Sequence, residues 1–107
     1  MAKFLFRGRY TNEGLKGLQQ EGGTRRRESV VNLFASLGGR LEAMYFALGE
    51  DDVIVIAELP DNAAAAAGAI AVGAAGMIGI ETVALLSPEE IDAAVKHKIN
   101  FRPPSRS

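Results

Sequence analysis

Arginine is the residue in this chain best placed to do chemistry. Arg25, Arg26 and Arg27 are consecutive, and Arg7 and Arg9 stand two apart near the start. Guanidinium groups bind carboxylates and phosphates through paired N–H donors, so an anionic group is the chemistry these positions suggest. The triplet opens a segment with helical periodicity, where positive charge opposes the helix dipole. Either a bound anion compensates, with Arg7 and Arg9 as extra donors, or nearby acids such as Glu21 and Glu28 do; ion pairing is the simpler reading. The glycines Gly22 and Gly23 ahead of Thr24 resemble a phosphate loop only in part, because no Gly-Lys-Ser/Thr follows.

The remaining reactive groups are sparse. Glu50, Asp51 and Asp52 are adjacent. Hard cations want clustered carboxylate oxygens, yet a calcium loop spaces its ligands at alternate positions, and neighbours in a tight turn diverge, so a solvated turn is preferred and no metal site is expected. His97 is the only histidine and there is no cysteine, which removes thiolate metal sites, a cysteine nucleophile and disulfides. No cofactor is expected. Tyr10, Tyr45, Glu81 and Thr82 each interrupt apolar stretches, so they are candidates to line a cavity between helices and a sheet. The ligand-binding candidates are therefore Arg7, Arg9, Tyr10, Arg25, Arg26, Tyr45, Glu81 and Thr82, with no catalytic residue assigned.

The elements that must position them follow from periodicity. Residues 3–10 alternate, with Phe4, Phe6 and Tyr10 on one side and Leu5, Arg7 and Arg9 on the other, as in a strand. Residues 11–23 carry five residues of turn type, Asn12, Gly14, Gly17, Gly22 and Gly23, too many to predict a long helix. Val30, Leu33, Phe34 and Leu37 then fall at i, i+3, i+4 and i+7, and Gly38-Gly39 supplies a left-handed stop. Residues 40–48 and 53–59 read as two strands of a hairpin around Gly49, Glu50, Asp51 and Asp52. Asp61 is an N-cap for an alanine-rich helix over residues 62–75, which Gly76 ends. Residues 78–86 form a fourth strand. Ser87-Pro88-Glu89-Glu90 is a capping box for a last helix to about His97.

That order, β-α-β-β-α-β-α, predicts an α+β fold: a ferredoxin-like split βαβ domain whose four-stranded antiparallel sheet carries helices on one face. One domain is expected over residues 1–98, with residues 99–107 as a flexible tail. Residues 63–80 are uncharged, but nine alanines and four glycines among them leave too little hydrophobicity for a membrane span. Residues 1–7 hold no signal-peptide apolar region, so the cytoplasm is the expected compartment. A formal net charge of -1 removes the global basic footprint of a nucleic-acid or anionic-membrane binder.

An antiparallel sheet with one wet face should alternate apolar and polar residues, but Val53-Ile54-Val55-Ile56 and the strands around Tyr45 and Val83 are apolar at both parities. A second surface must cover the surplus. Either another copy does, giving a homodimer or higher homo-oligomer built as a dimeric α/β barrel, or the last helix folds over the face. The surplus lies in strands two, three and four, so an interface centred on the hairpin side is expected.

The segment from Met44 to Asp61, with the opening strand ending in Tyr10-Thr11, Leu37-Gly38-Gly39, and Ile80-Glu81-Thr82, resembles the GYD domain family over roughly residues 3–91. The family's motif ends in Tyr-Asp, and here the pair is Asp51-Asp52. The resemblance implies a ferredoxin-like, oligomer-forming small bacterial protein of a family largely without an assigned activity. Three functional classes stay open: a homo-oligomer binding a small anionic or apolar ligand, a cofactor-independent dimeric-barrel enzyme of oxygenase or isomerase type with Tyr45 or Glu81 carrying a proton, and a purely structural interaction module.

Overall fold

In the computed structural model, which describes residues 1–105, the chain runs β1 (Ala2–Tyr10), α1 (Asn12–Glu21), α2 (Gly23–Ser36), β2 (Arg40–Phe46), β3 (Val53–Leu59), α3 (Asn62–Ala75), β4 (Ile78–Leu85) and α4 (Pro88–Ala94). The strands form one antiparallel sheet in the order β2-β3-β1-β4. This is the expected ferredoxin-like α+β arrangement, with two helices rather than one in the first crossover. Residues 106 and 107 of the expected tail lie outside the described residues.

Alternation along the central strands decides which side is covered. Phe4, Phe6, Val53, Val55, Ala57 and Leu59 are buried on one face, where Phe34 of α2 and Ala65 of α3 complete the core. Phe6 links sheet to helix, its ring centroid 6.4 Å from that of Phe4 and 5.5 Å from that of Phe34. Small residues let α3 lie close: Leu37 would stand 3.0 Å from a β-carbon placed at Gly68. In β2 the pairing shifts between Leu41 and Ala43, a bulge at which Leu41 and Met44 both pack against the core.

The helix caps expected from sequence are present. Asp61 accepts from the Ala64 N–H at 2.9 Å, and Ser87 and Glu90 exchange bonds of 3.1 and 3.0 Å. Gly38 and Gly76 take φ of 79° and 76°. The reading of residues 11–23 needs correction, since α1 is a helix of ten residues. Thr11 makes it start, its hydroxyl accepting from the Gly14 N–H at 3.2 Å while its own N–H donates to the Met77 carbonyl at 2.9 Å. Gly14 is a glycine because the chain passes against that same carbonyl, which any β-carbon would overlap. Only Gly22, at φ 83°, acts as a stop. The last helix is shorter than expected, ending at Ala94 with turn bonds carrying the chain to His97.

The C-terminal part stands apart from the core. Every residue of α4 is exposed and the helix makes no extensive contact with another element, leaving Ile91, Val95, Ile99 and Phe101 largely in solvent. The radius of gyration is 17.4 Å, against about 13 Å for a compact chain of this length. The last helix therefore does not fold over the second sheet face.

Gly14→Ala should lose about 1–3 kcal/mol of stability in urea unfolding, because backbone cannot yield to the added methyl. Gly17→Ala, with nothing within 4 Å of a β-carbon, should gain about 0.5–1 kcal/mol through reduced chain entropy in the helix interior. Equal effects at the two positions would refute the close-approach account of Gly14.

Candidate functional site

Between the sheet and the helices lies an apolar cavity of about 80 Å³, reached by Phe6, Phe34, Val55 and Ile80 and floored at Gly8. Next to it, among α1, α2, α3 and the start of β4, is a wider bay of about 460 Å³ lined by Leu18, Met77 and Ala75. Tyr10, Arg26, Leu33, Val72 and Ile78 line both, so the two spaces adjoin along a shared wall. Among the described residues, Arg26 is the one charged residue lining the inner space. It is half-buried, whereas Arg25 and Arg27 of the same triplet are exposed.

Helical geometry explains the division. Arg26 lies four residues before Val30 and eight before Phe34, so it shares their inward face, while its neighbours are rotated away. Its partner is Glu21 at 3.7 Å, both side chains about one-third exposed. A pair this long and this wet contributes little, of the order of 0–1 kcal/mol. Tyr10 is fixed through its backbone, whose N–H donates to Asp52 Oδ2 at 2.8 Å. Burial pushes the Tyr10 phenol above its ordinary 10.0, opposed by the Arg26 charge. The hydroxyl is thus a protonated donor at neutral pH.

The other candidates lie elsewhere. Arg7 and Arg9 face the open side of the sheet, where Arg7 Nε donates to Asp51 Oδ2 at 2.9 Å and Arg9 Nη1 to the Glu50 carbonyl at 3.1 Å. The structure does not bring them to Arg25 or Arg26, because strand alternation puts them across the sheet. Tyr45 and Glu81 share that open side, in register with Ile54 and Arg7. Tyr45 is 73% exposed, and Glu81 reaches Arg7 at 4.0 Å. Tyr10, Tyr45 and Glu81 therefore do not line one cavity together: Tyr10 lines both spaces described above, and Tyr45 and Glu81 line neither. Thr82 is on the helix side opposite Phe6, but it is exposed and lines neither cavity.

The acidic turn is divided among separate tasks. Asp51, standing where the family motif has tyrosine, pairs with Arg7; Asp52 holds the Tyr10 backbone; Glu50 offers its carbonyl to Arg9. Among the described residues no group of three His, Asp or Glu side chains could hold a metal, and no helix is long and apolar enough to cross a membrane. Sequence reasoning named Glu21 as a partner for the arginine triplet, and the structure pairs it with Arg26; it missed Asp52 as the anchor of Tyr10, whose one visible signal is its place as the final residue of the motif.

The open face has its own order. Successive rows across the sheet read Arg40, Glu58, Lys3 and Leu85; then Ala43, Ile56, Leu5 and Val83; then Tyr45, Ile54, Arg7 and Glu81. An apolar middle row is bounded on one side by the pairs Lys3–Glu42 at 2.7 Å and Arg40–Glu58 at 3.1 Å, and on the other by Arg7–Asp51. Hydrogen bonding from Arg40 holds the Glu58 carboxyl below its ordinary 4.5. Because β1 is central, Leu5 lies in the middle of this band, which is centred on the sheet and not on the hairpin.

A four-stranded antiparallel sheet with helices on one face and a cavity between the layers defines a ferredoxin-like α+β domain. The family model for the GYD domain matches residues 4–95 of the 107, and the chain belongs to that family. Neither a curated protein nor a solved structure gives a significant match.

In a Tyr45→Phe background Tyr10 is the sole phenol, and ultraviolet titration should give a midpoint above 10.0. The folded chain holds that proton more tightly than the unfolded chain. Its stabilising effect is accordingly complete below pH 10.0 and lost as pH rises through the folded value. A midpoint at or below 10.0 would show that the ring is not buried against the helices.

Proposed function

We propose that this protein is a homo-oligomeric small-molecule-binding domain, in which two copies associate through the open sheet face. The apolar row of Ala43, Ile56, Leu5 and Val83, extended by Ile54 and Leu85, carries this reading. Among the described residues, the helix residues of the core pack on the opposite face and α4, exposed throughout, makes no extensive contact with any strand. An apolar centre with a charged rim is the usual anatomy of a protein interface. The rim charges are paired within the chain, so a second copy can approach without leaving a buried charge unpaired. The small-molecule part of the reading rests on the cavity behind the same sheet.

Light scattering coupled to size exclusion at micromolar concentration should give a mass of at least twice the 11.3 kDa chain. Ile56→Lys, which places a charge in the middle row, should reduce it to one chain with the far-ultraviolet circular dichroism unchanged. A wild-type mass of 11.3 kDa would overturn the association.

A further inference from the structure

We infer that the cavity binds a small amphipathic monocarboxylate, its apolar part inside and its carboxylate on Arg26 and Tyr10. This deepens the ligand-binding reading and rests on it. The lining sets the body of the ligand. Apart from Arg26 and Tyr10, the inner space is bounded by aliphatic and aromatic side chains and by glycine, so whatever fills it is apolar.

Its size sets the shape. A cavity of about 150 Å³ admits benzene, so one of about 80 Å³ takes an alkyl end but not a whole ring. The adjoining bay of about 460 Å³ lies within the ~300–1,000 Å³ range of ligand pockets and holds the remainder.

The polar end is set by what stands on the shared wall. Arg26 can only donate, and the protonated Tyr10 hydroxyl donates to no acceptor among the described residues. Two donor side chains among the lining of an otherwise apolar space call for an acceptor, and a carboxylate accepts from both with charge assistance. Glu21 holds Arg26 only at 3.7 Å and is itself partly in water, so an incoming carboxylate can displace it at small cost. Glu13, which also borders the bay, is paired with Lys16 at 3.7 Å. With Glu21 and Glu13 at the mouth, a second negative charge on the ligand would be repelled, which favours a monoanion.

Calorimetric titration of the full chain with octanoate, octanol and octylamine tests the assignment. Octanoate should bind, octanol about tenfold or more weakly, and octylamine more weakly still. Arg26→Met should lose about tenfold or more for octanoate while octanol is unchanged, a selective loss that a general loosening of the helix would not produce. Gly17→Leu provides a variant that folds, because nothing lies within 4 Å of a β-carbon there. It projects into the bay and should weaken octanoate severalfold.

The assignment is overturned by octanol or octylamine binding as well as octanoate, by an unchanged octanoate affinity in Arg26→Met, or by an unchanged affinity in Gly17→Leu. Binding of octanol alone would remove the carboxylate and leave the ligand-binding reading in place, whereas binding of none of the three would remove both. Light scattering on the same samples reports association separately.

Discussion

β1 is hydrogen-bonded on both sides along nearly its whole length, to β3 and to β4, and that position governs the rest of the molecule. Side chains along a strand alternate between the two faces of the sheet, and a strand in the middle of the sheet shares both faces with neighbours on either side. Phe4, Phe6 and Tyr10 go to the helices; Leu5, Arg7 and Arg9 go to the other side. Every neighbour inherits this division through register: Val55 opposite Phe6, Ile56 opposite Leu5, Glu81 opposite Arg7. The cavity and the uncovered apolar band are the two faces of one alternation. A one-residue slip would exchange them, placing arginines in the core and phenylalanines in water.

Much of this is legible in the sequence itself. The alternation of residues 3–10, the spacing of Val30, Leu33, Phe34 and Leu37, and the caps at Asp61 and Ser87 are local signals, and each corresponds to an element or cap in the structure. α1 was not readable in the same way. Its glycines look like helix breakers, yet Gly14 is there because the Met77 carbonyl is close, a contact across more than sixty residues that no local pattern encodes. The helix is sustained by a tertiary bond at Thr11 and by its neighbours, which outweigh poor intrinsic propensity.

The site was legible residue by residue but not as a set. Tyr10 and Arg26 were recognisable candidates, one as a polar interruption of an apolar strand and the other as charge at the wrong end of a helix. Their meeting depends on how far α2 is rotated against the sheet, which follows from Val30 and Phe34 packing inward. Arg7 and Arg9 were grouped with them because all carry the same charge. Charge type carries no information about side, and the period of two put those arginines with Asp51 and Glu50. That Asp51 replaces the motif's tyrosine acquires a physical meaning here, since an acid at that corner holds Arg7 against the open face.

The unpacked C-terminal segment has a hydrodynamic consequence. A body measuring 56 × 37 × 23 Å drags more water and diffuses more slowly than a sphere of equal mass. One chain therefore migrates through a porous matrix as though it were heavier, and comparison with globular standards would count protein shape as additional subunits. Friction and mass are separate quantities in this molecule, and the arm beyond Leu85 is what separates them.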